Sequence, residues 1–283
     1  LEDQVLKRLV TVLFQMRDYG EAFRYQQMIA AKLKPIPQAS DADDLDPVDY
    51  ANAVVDAAVL AVRANKFDEA TRLLDEAEAI FNEEGMTDQV AKIYQYRGIN
   101  FENQRKYDDT ITAFKKAEEL YRKRKPEDAA AQLLNIGNIY NRYLSQYQKS
   151  LEYYDAAILE FKKLNKPDLY VPILIDAANA HIVLGDMEAA IRSLEQDVIP
   201  KVDKNKQRLL WVRATQMLAN AYFRAGLYQQ ARDLNKATLA EAEKIENKLN
   251  MVNAQIDAIG LRAMISAKLG QYKSAFKDFH AAI

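Results

Sequence analysis

Cysteine is absent from this 283-residue chain, which excludes disulfides and thiolate chemistry without settling the compartment. Histidine occurs only at His181 and His280, far apart in the chain. A nucleophile–histidine pair or a His-rich metal site would therefore need an unusual convergence. Breakers are few, with eight Gly and seven Pro, and that suits a helical chain. Neither sign of charge dominates: 39 basic residues stand against 41 acidic ones, for a formal net charge of −2. That balance argues against nucleic acid and anionic membranes as partners, since both favour a basic excess. No apolar run reaches the roughly 18 residues of a membrane span and no signal peptide is visible, so no membrane insertion and a cytoplasmic location are expected. Nothing resembles a phosphate-binding or dinucleotide motif. Paired carboxylates such as Glu83-Glu84 and Glu118-Glu119 read as solvated faces. The expectation is a protein that is not an enzyme, with no catalytic residues, metal or cofactor.

What is present is a repeated pattern. Ala131 to Ala157 reads as two amphipathic helices joined by a polar turn. Leu133, Leu134, Ile136 and Tyr140 mark the first, and Tyr147, Leu151, Tyr154, Ala157 and Ile158 the second, at the three- and four-residue spacing of one helical face. Gly137 sits mid-helix at a cost of about 1 kcal/mol relative to Ala, which points to a neighbouring helix backbone coming close. The turn and second helix recur, with an aromatic or Met at Tyr19, Phe67, Tyr107, Tyr147, Met187, Tyr228 and Tyr272. The intervals are 48, 40, 40, 40, 41 and 44 residues, the signature of stacked helical hairpins. Small residues recur mid-way in the first helices, at Ala58, Gly98, Gly137, Ala178, Ala219 and Ala263. They recur early in the second, at Ala22, Ala70, Thr110, Ser150, Ala190, Ala231 and Ala275, and one heptad later at Ala77, Ala117, Ala157, Thr238 and Ala282, with Asp197 as the exception.

This register resembles the tetratricopeptide repeat (TPR) family, in the variant with repeats of about forty residues. The resemblance implies an all-α, right-handed α-solenoid of stacked antiparallel helix hairpins, a TPR-like superhelix. The expected organisation is a helical hairpin over 1–33, a Pro/Asp-rich loop over 34–47 without regular helix, and six repeats over 48–283, the last truncated. Pro126, Pro167 and Pro200 mark junctions between hairpins, and Thr87 and Asp168 are candidate helix caps. One extra residue between Gly137 and Tyr147 predicts a lengthened turn. The rings at Tyr107, Tyr147, Tyr228 and Tyr272 read as core and not as a base-stacking platform, and His181 as a core or groove-edge residue. The start at Leu1 and the end inside a helix suggest a piece of a longer chain.

One feature rises above the scaffold. Asn138, Asn179 and Asn220 each follow the small residue of successive first helices, 41 residues apart. The resemblance implies that first helices line a concave face where such amides hold a peptide. A carboxamide both donates and accepts, matching an extended backbone without reading its side chains. One turn onward come Asn141 and Arg142, Ile182 and Val183, Phe223 and Arg224, and earlier in the same helix as Asn220 come Arg213 and Gln216. The three Arg favour an acidic or C-terminal carboxylate group on the ligand. Val59, Ile99 and Met264 replace Asn elsewhere, so ligand holding is expected mid-chain. The leading function is a protein–protein interaction module holding an extended peptide segment of a protein or peptide partner. The alternatives are a sensory or regulatory domain acting on further domains of its own chain, as in signalling or protease-associated proteins, and a self-assembly scaffold.

Overall fold

A computed structural model describes residues 2–35 and 46–281. Among the described residues the chain is helical throughout, with no strand. The first compact unit is Leu1–Ile139. It contains α1 (Glu2–Gln15), α2 (Tyr19–Leu33), α3 (Pro47–Arg63), α4 (Phe67–Glu83), α5 (Thr87–Asn103), α6 (Tyr107–Tyr121) and most of α7 (Pro126–Arg142). The second unit, Tyr140–Ile283, holds the last turn of α7, α8 (Tyr147–Lys163), α9 (Pro167–Leu184) and α10 (Met187–Ser193). It continues with α11 (Arg208–Arg224), α12 (Tyr228–Ala242), α13 (Lys248–Lys268) and α14 (Tyr272–Ala281). Most of the loop expected over 34–47 lies outside the described residues. Its end is visible, where the Asp46 carboxylate accepts the Val48 N–H at 2.8 Å and Pro47 opens α3.

Every hairpin turns on one device. The residue two positions before the second helix has positive φ: Arg17, Asn65, Arg105 and Ser145, then Gly185, Gly226 and Gly270. Left-handed backbone costs a non-glycine residue about 1–2 kcal/mol. The next N–H recovers part of this by bonding a carbonyl five residues back, as in Lys66 to Ala61, Lys106 to Phe101 and Leu227 to Tyr222, at 2.8–2.9 Å. In the α7–α8 turn Gln146 instead reaches Tyr140 O, six residues back, at 2.9 Å. That is the extra residue the repeat spacing predicts. Pro126 and Pro167 open α7 and α9, whereas Pro200 falls in a 3-10 turn at Ile199–Lys201. Neither expected cap is one. Thr87 is the first residue of α5 behind Met86, and Asp168 lies inside the first turn of α9, accepting instead from Gln207 Nε2 at 3.1 Å. Side-chain caps come from Asp18, Asp46, Asp186 and Asn247.

Among the described residues the small positions are buried in both helices of the hairpins, and Ala282 lies outside them. At Gly98, however, the space is filled by the ring of Phe114 from α6, not by a backbone. Seven residues into the second helices stand Leu74, Phe114, Tyr154 and Leu194, all fully buried. Two polar residues take that position. Gln26 donates to Ala53 O at 3.2 Å and Asn235 to Ala258 O at 2.8 Å, each bonding the same register position of the following helix. An amide there is tolerated because its donor is satisfied. The Asp197 exception is resolved by a π turn over Leu194–Val198. One inserted residue rotates the chain so that Val198, not Asp197, is fully buried. The rings at Tyr107, Tyr147 and Tyr228 are only half-buried at the helix starts, and Tyr272 is 72% exposed, so these are not core.

Candidate functional site

In the second unit α11 packs against both α9 and α13. Successive α-helical residues are rotated by about 100°, so positions 213, 216, 220 and 224 fall on one stripe. Arg213, Gln216, Asn220 and Arg224 accordingly line one groove of about 470 Å³, with Met217 beside them. Its other wall is Asp257, Leu261 and Met264 from α13, with Ile175 from α9. Asn220 is half-buried there, and so is Asn179 on α9. Asn138, also half-buried, belongs to the first unit.

Three expected contacts are taken up in packing or hydrogen bonds, and none of them lines that groove. Ile182 is 2% exposed and belongs to the core. Phe223 packs on the cluster of Ala219, Ala231, Leu261 and Ile265 and lies 5.7 Å from the Tyr228 ring. Asn141 hydrogen-bonds the hydroxyl of buried Tyr154. Each sits three residues after a ladder Asn, which rotates it back toward the core. The residues four positions on, Arg142, Val183 and Arg224, stay exposed.

The electrostatics of the stripe are mixed. Arg213 lies 3.5 Å from the Asp176 carboxylate on α9. Burial pushes the Asp176 carboxyl up, while Arg213 and then Arg142 hold it down, so one carboxylate faces two of the three arginines. Arg224 has no ion pair among the described residues. Asp257 is raised by burial alone. Gln216 donates to Ala254 O at 2.7 Å, so its N–H is already committed across the groove. Asp176 and Asp257 were missed at the level of sequence. Asp257 holds in α13 the position of Arg213 in α11, seven residues before Met264, so carrying the register one hairpin further would have found it. His181, half-buried, places Nδ1 3.3 Å from Asp186 at a hairpin turn, outside the groove. No group of metal-ligating side chains occurs among the described residues.

No protein-family model and no curated protein matches the chain. Solved structures do. Apo RapI matches with TM-score 0.70 at 13% identity, over 100% of this chain and 76% of its own. A signal-transduction ATPase with a tetratricopeptide repeat sensor, from Pyrococcus horikoshii, matches with TM-score 0.63 at 17% identity, over 98% of this chain and 45% of its own. The apo quorum sensor NprR of B. thuringiensis matches with TM-score 0.55 at 13% identity, over 99% of this chain and 86% of its own. The chain has a TPR-type repeat fold. No helix among the described residues is long and apolar enough to cross a membrane.

Proposed function

We propose that the chain is a protein-interaction module that holds an extended segment of a partner against the α11–α13 groove. The observation that carries this reading is the convergence of Arg213, Gln216, Asn220 and Arg224 on one open surface. Asn220 offers a donor and an acceptor to a peptide backbone, and Arg224 an unpaired cation to a carboxylate. Asp176 already engages Arg213, so selection for an acidic group rests mainly on Arg224, and Asp257 offers a complementary place for a basic one. Individual hydrogen bonds contribute about 0.5–1.5 kcal/mol net, so micromolar affinity needs the apolar wall of Met217, Leu261 and Met264 as well. Asn179, on α9 of the same unit, would extend the same amide contacts along the partner. A photo-crosslinking residue in place of Met264 tests this. Partner adducts there and none from an equivalent residue at Lys236, exposed on α12, would support the reading, and equal labelling would refute it.

A second reading is favoured by two of the structural matches, the ATPase with a tetratricopeptide repeat sensor and the quorum sensor NprR. In it the same groove belongs to a sensory or regulatory domain, and ligand binding shifts the packing of the hairpins. The two readings share the site and differ in what lies downstream of it. In neither does the chain itself catalyse a reaction.

A further inference from the structure

The first unit holds a cleft of about 900 Å³ between α1 and α3, floored by α2. Its apolar surface comes from Val10 and Phe14 of α1, Ile29 and Leu33 of α2, and Val59 and Leu60 of α3. Phe14 is 39% exposed, well above what a core ring shows. The α3 wall adds Asp49, Asn52 and Asp56 on one helical stripe. Neither carboxylate takes a hydrogen bond or ion pair from the described residues. Gln26, buried in the floor, spends its N–H on Ala53 O, and its Oε1 accepts nothing among the described residues. The polar groups of the cleft wall are thus rich in unfilled acceptors. Three cations lie nearby, one of them Arg63 of α3, whose guanidinium sits 5.1 Å over the Phe14 ring. Lys7 is at the α1 rim, and Lys92 of α5 attracts Asp56 from a distance while its own ammonium sits 5.7 Å over the Tyr96 ring.

We propose that this cleft is a second docking site whose occupant is a basic amphipathic helix of a partner protein. Its apolar face seats on α1 and α2, and two Lys or Arg side chains, two turns apart, reach Asp49 and Asp56. Charge and spacing select this occupant. Asp49 and Asp56 are seven residues apart on α3, a rise of about 10.5 Å. A helix lying along α3 repeats that distance between residues i and i+7 of one face. An extended segment covers it in about three residues, which sends the two side chains to opposite faces. The apolar floor matches the stripe such a helix presents. The carboxyl of Asp56 is pushed up by the protein around it, and a cation at this point would relieve that.

This site is independent of the α11–α13 groove, and the test separates the two. The probes are two amidated amphipathic peptides of about 18 residues, long enough to approach stable helicity. One carries Leu along one face with Lys at i and i+7 beside it, and the other has Glu in place of each Lys. Fluorescence anisotropy with the full chain is expected to show binding of the Lys peptide, weakening with salt. The Glu peptide is expected to bind at least about tenfold more weakly, as is the Lys peptide to Asp49→Asn/Asp56→Asn. Asp49 is exposed, and the fold disfavours the charge of Asp56, so the double variant should melt no lower than the wild type. Asn220→Ala/Arg224→Ala should leave the Lys peptide's affinity unchanged. Absence of binding, equal binding of both peptides, or full affinity for the double Asn variant would overturn the proposal. So would loss confined to the Asn220/Arg224 variant.

Discussion

The ring of Phe114 on α6 stands against the bare Cα of Gly98 on α5, so close that a methyl group at 98 would lie 2.6 Å from Phe114 Cδ1. The pair explains why a residue costing about 1 kcal/mol in a helix interior stands at a small-residue position of the repeat. Gly98→Ala improves helix propensity yet forces the buried ring to move. Net destabilisation of about 1–2 kcal/mol is expected in urea unfolding, because overpacking outweighs propensity. Phe114→Leu in the same chain should recover part of it. A Gly98→Ala protein more stable than wild type would show that the ring shifts freely.

The π turn over Leu194–Val198 exists to bury Val198 and leave Asp197 half-exposed. Deleting Gln196, an exposed residue within that turn, removes the inserted position. The helix can then close as regular α with Val198 still facing inward. Its melting temperature should stay near that of the wild type, short of the hydrogen bond between Tyr222 and Glu195. Deleting Leu159, exposed in the regular helix α8, should destabilise strongly, since everything beyond it changes face. Equal losses for the two deletions would contradict this account of the turn.

Acid should act through Glu241. Hydrogen bonds from Lys204 and then Lys244, each at 2.9 Å, hold its carboxyl down to about 2. A folded value below the unfolded one, about 4.3, gives a contribution that is full above the unfolded value. It is lost as pH falls from about 5 toward 2. Melting curves of wild type and Glu241→Gln should therefore differ at pH 7 and converge across that window. Asp56, Asp176 and Asp257 are raised and act with the opposite sign, but equally in both proteins. A gap between the curves that persists unchanged at low pH would show that Glu241 is not the group titrating.

Much of the fold was legible because the repeat writes the same packing several times. Ala178, Ala219 and Ala263 are buried where the spacing places them, and the lengthened turn before Tyr147 follows from one extra residue. The π turn was not legible, because Asp197 read as a polar exception and not as a residue rotated outward. The hairpin turns were only half legible, since Arg17 and Arg105 carry left-handed backbone that their side chains do not advertise. In the candidate site the stripe through Arg213, Gln216, Asn220 and Arg224 follows from helical geometry. Ile182 and Phe223 were misplaced because one turn onward was taken as three residues or four alike. The 3.6-residue period separates those two by about 100°, enough to pass from solvent to core. Charge pairing was the other hidden part, as nothing in the spacing shows Asp176 reaching Arg213.

The central claim is that the α11–α13 groove holds a partner segment through Asn220 and Arg224. The most direct measurement is a titration of the partner captured by the wild-type chain, run with wild type and with Asn220→Ala/Arg224→Ala at two salt concentrations. Both side chains are at least partly solvent-accessible, so the melting temperature should change little. The account predicts an affinity loss of at least about tenfold at low salt, shrinking as salt screens the Arg224 contribution. Equal affinity of the two proteins, at matched melting temperature, would contradict it.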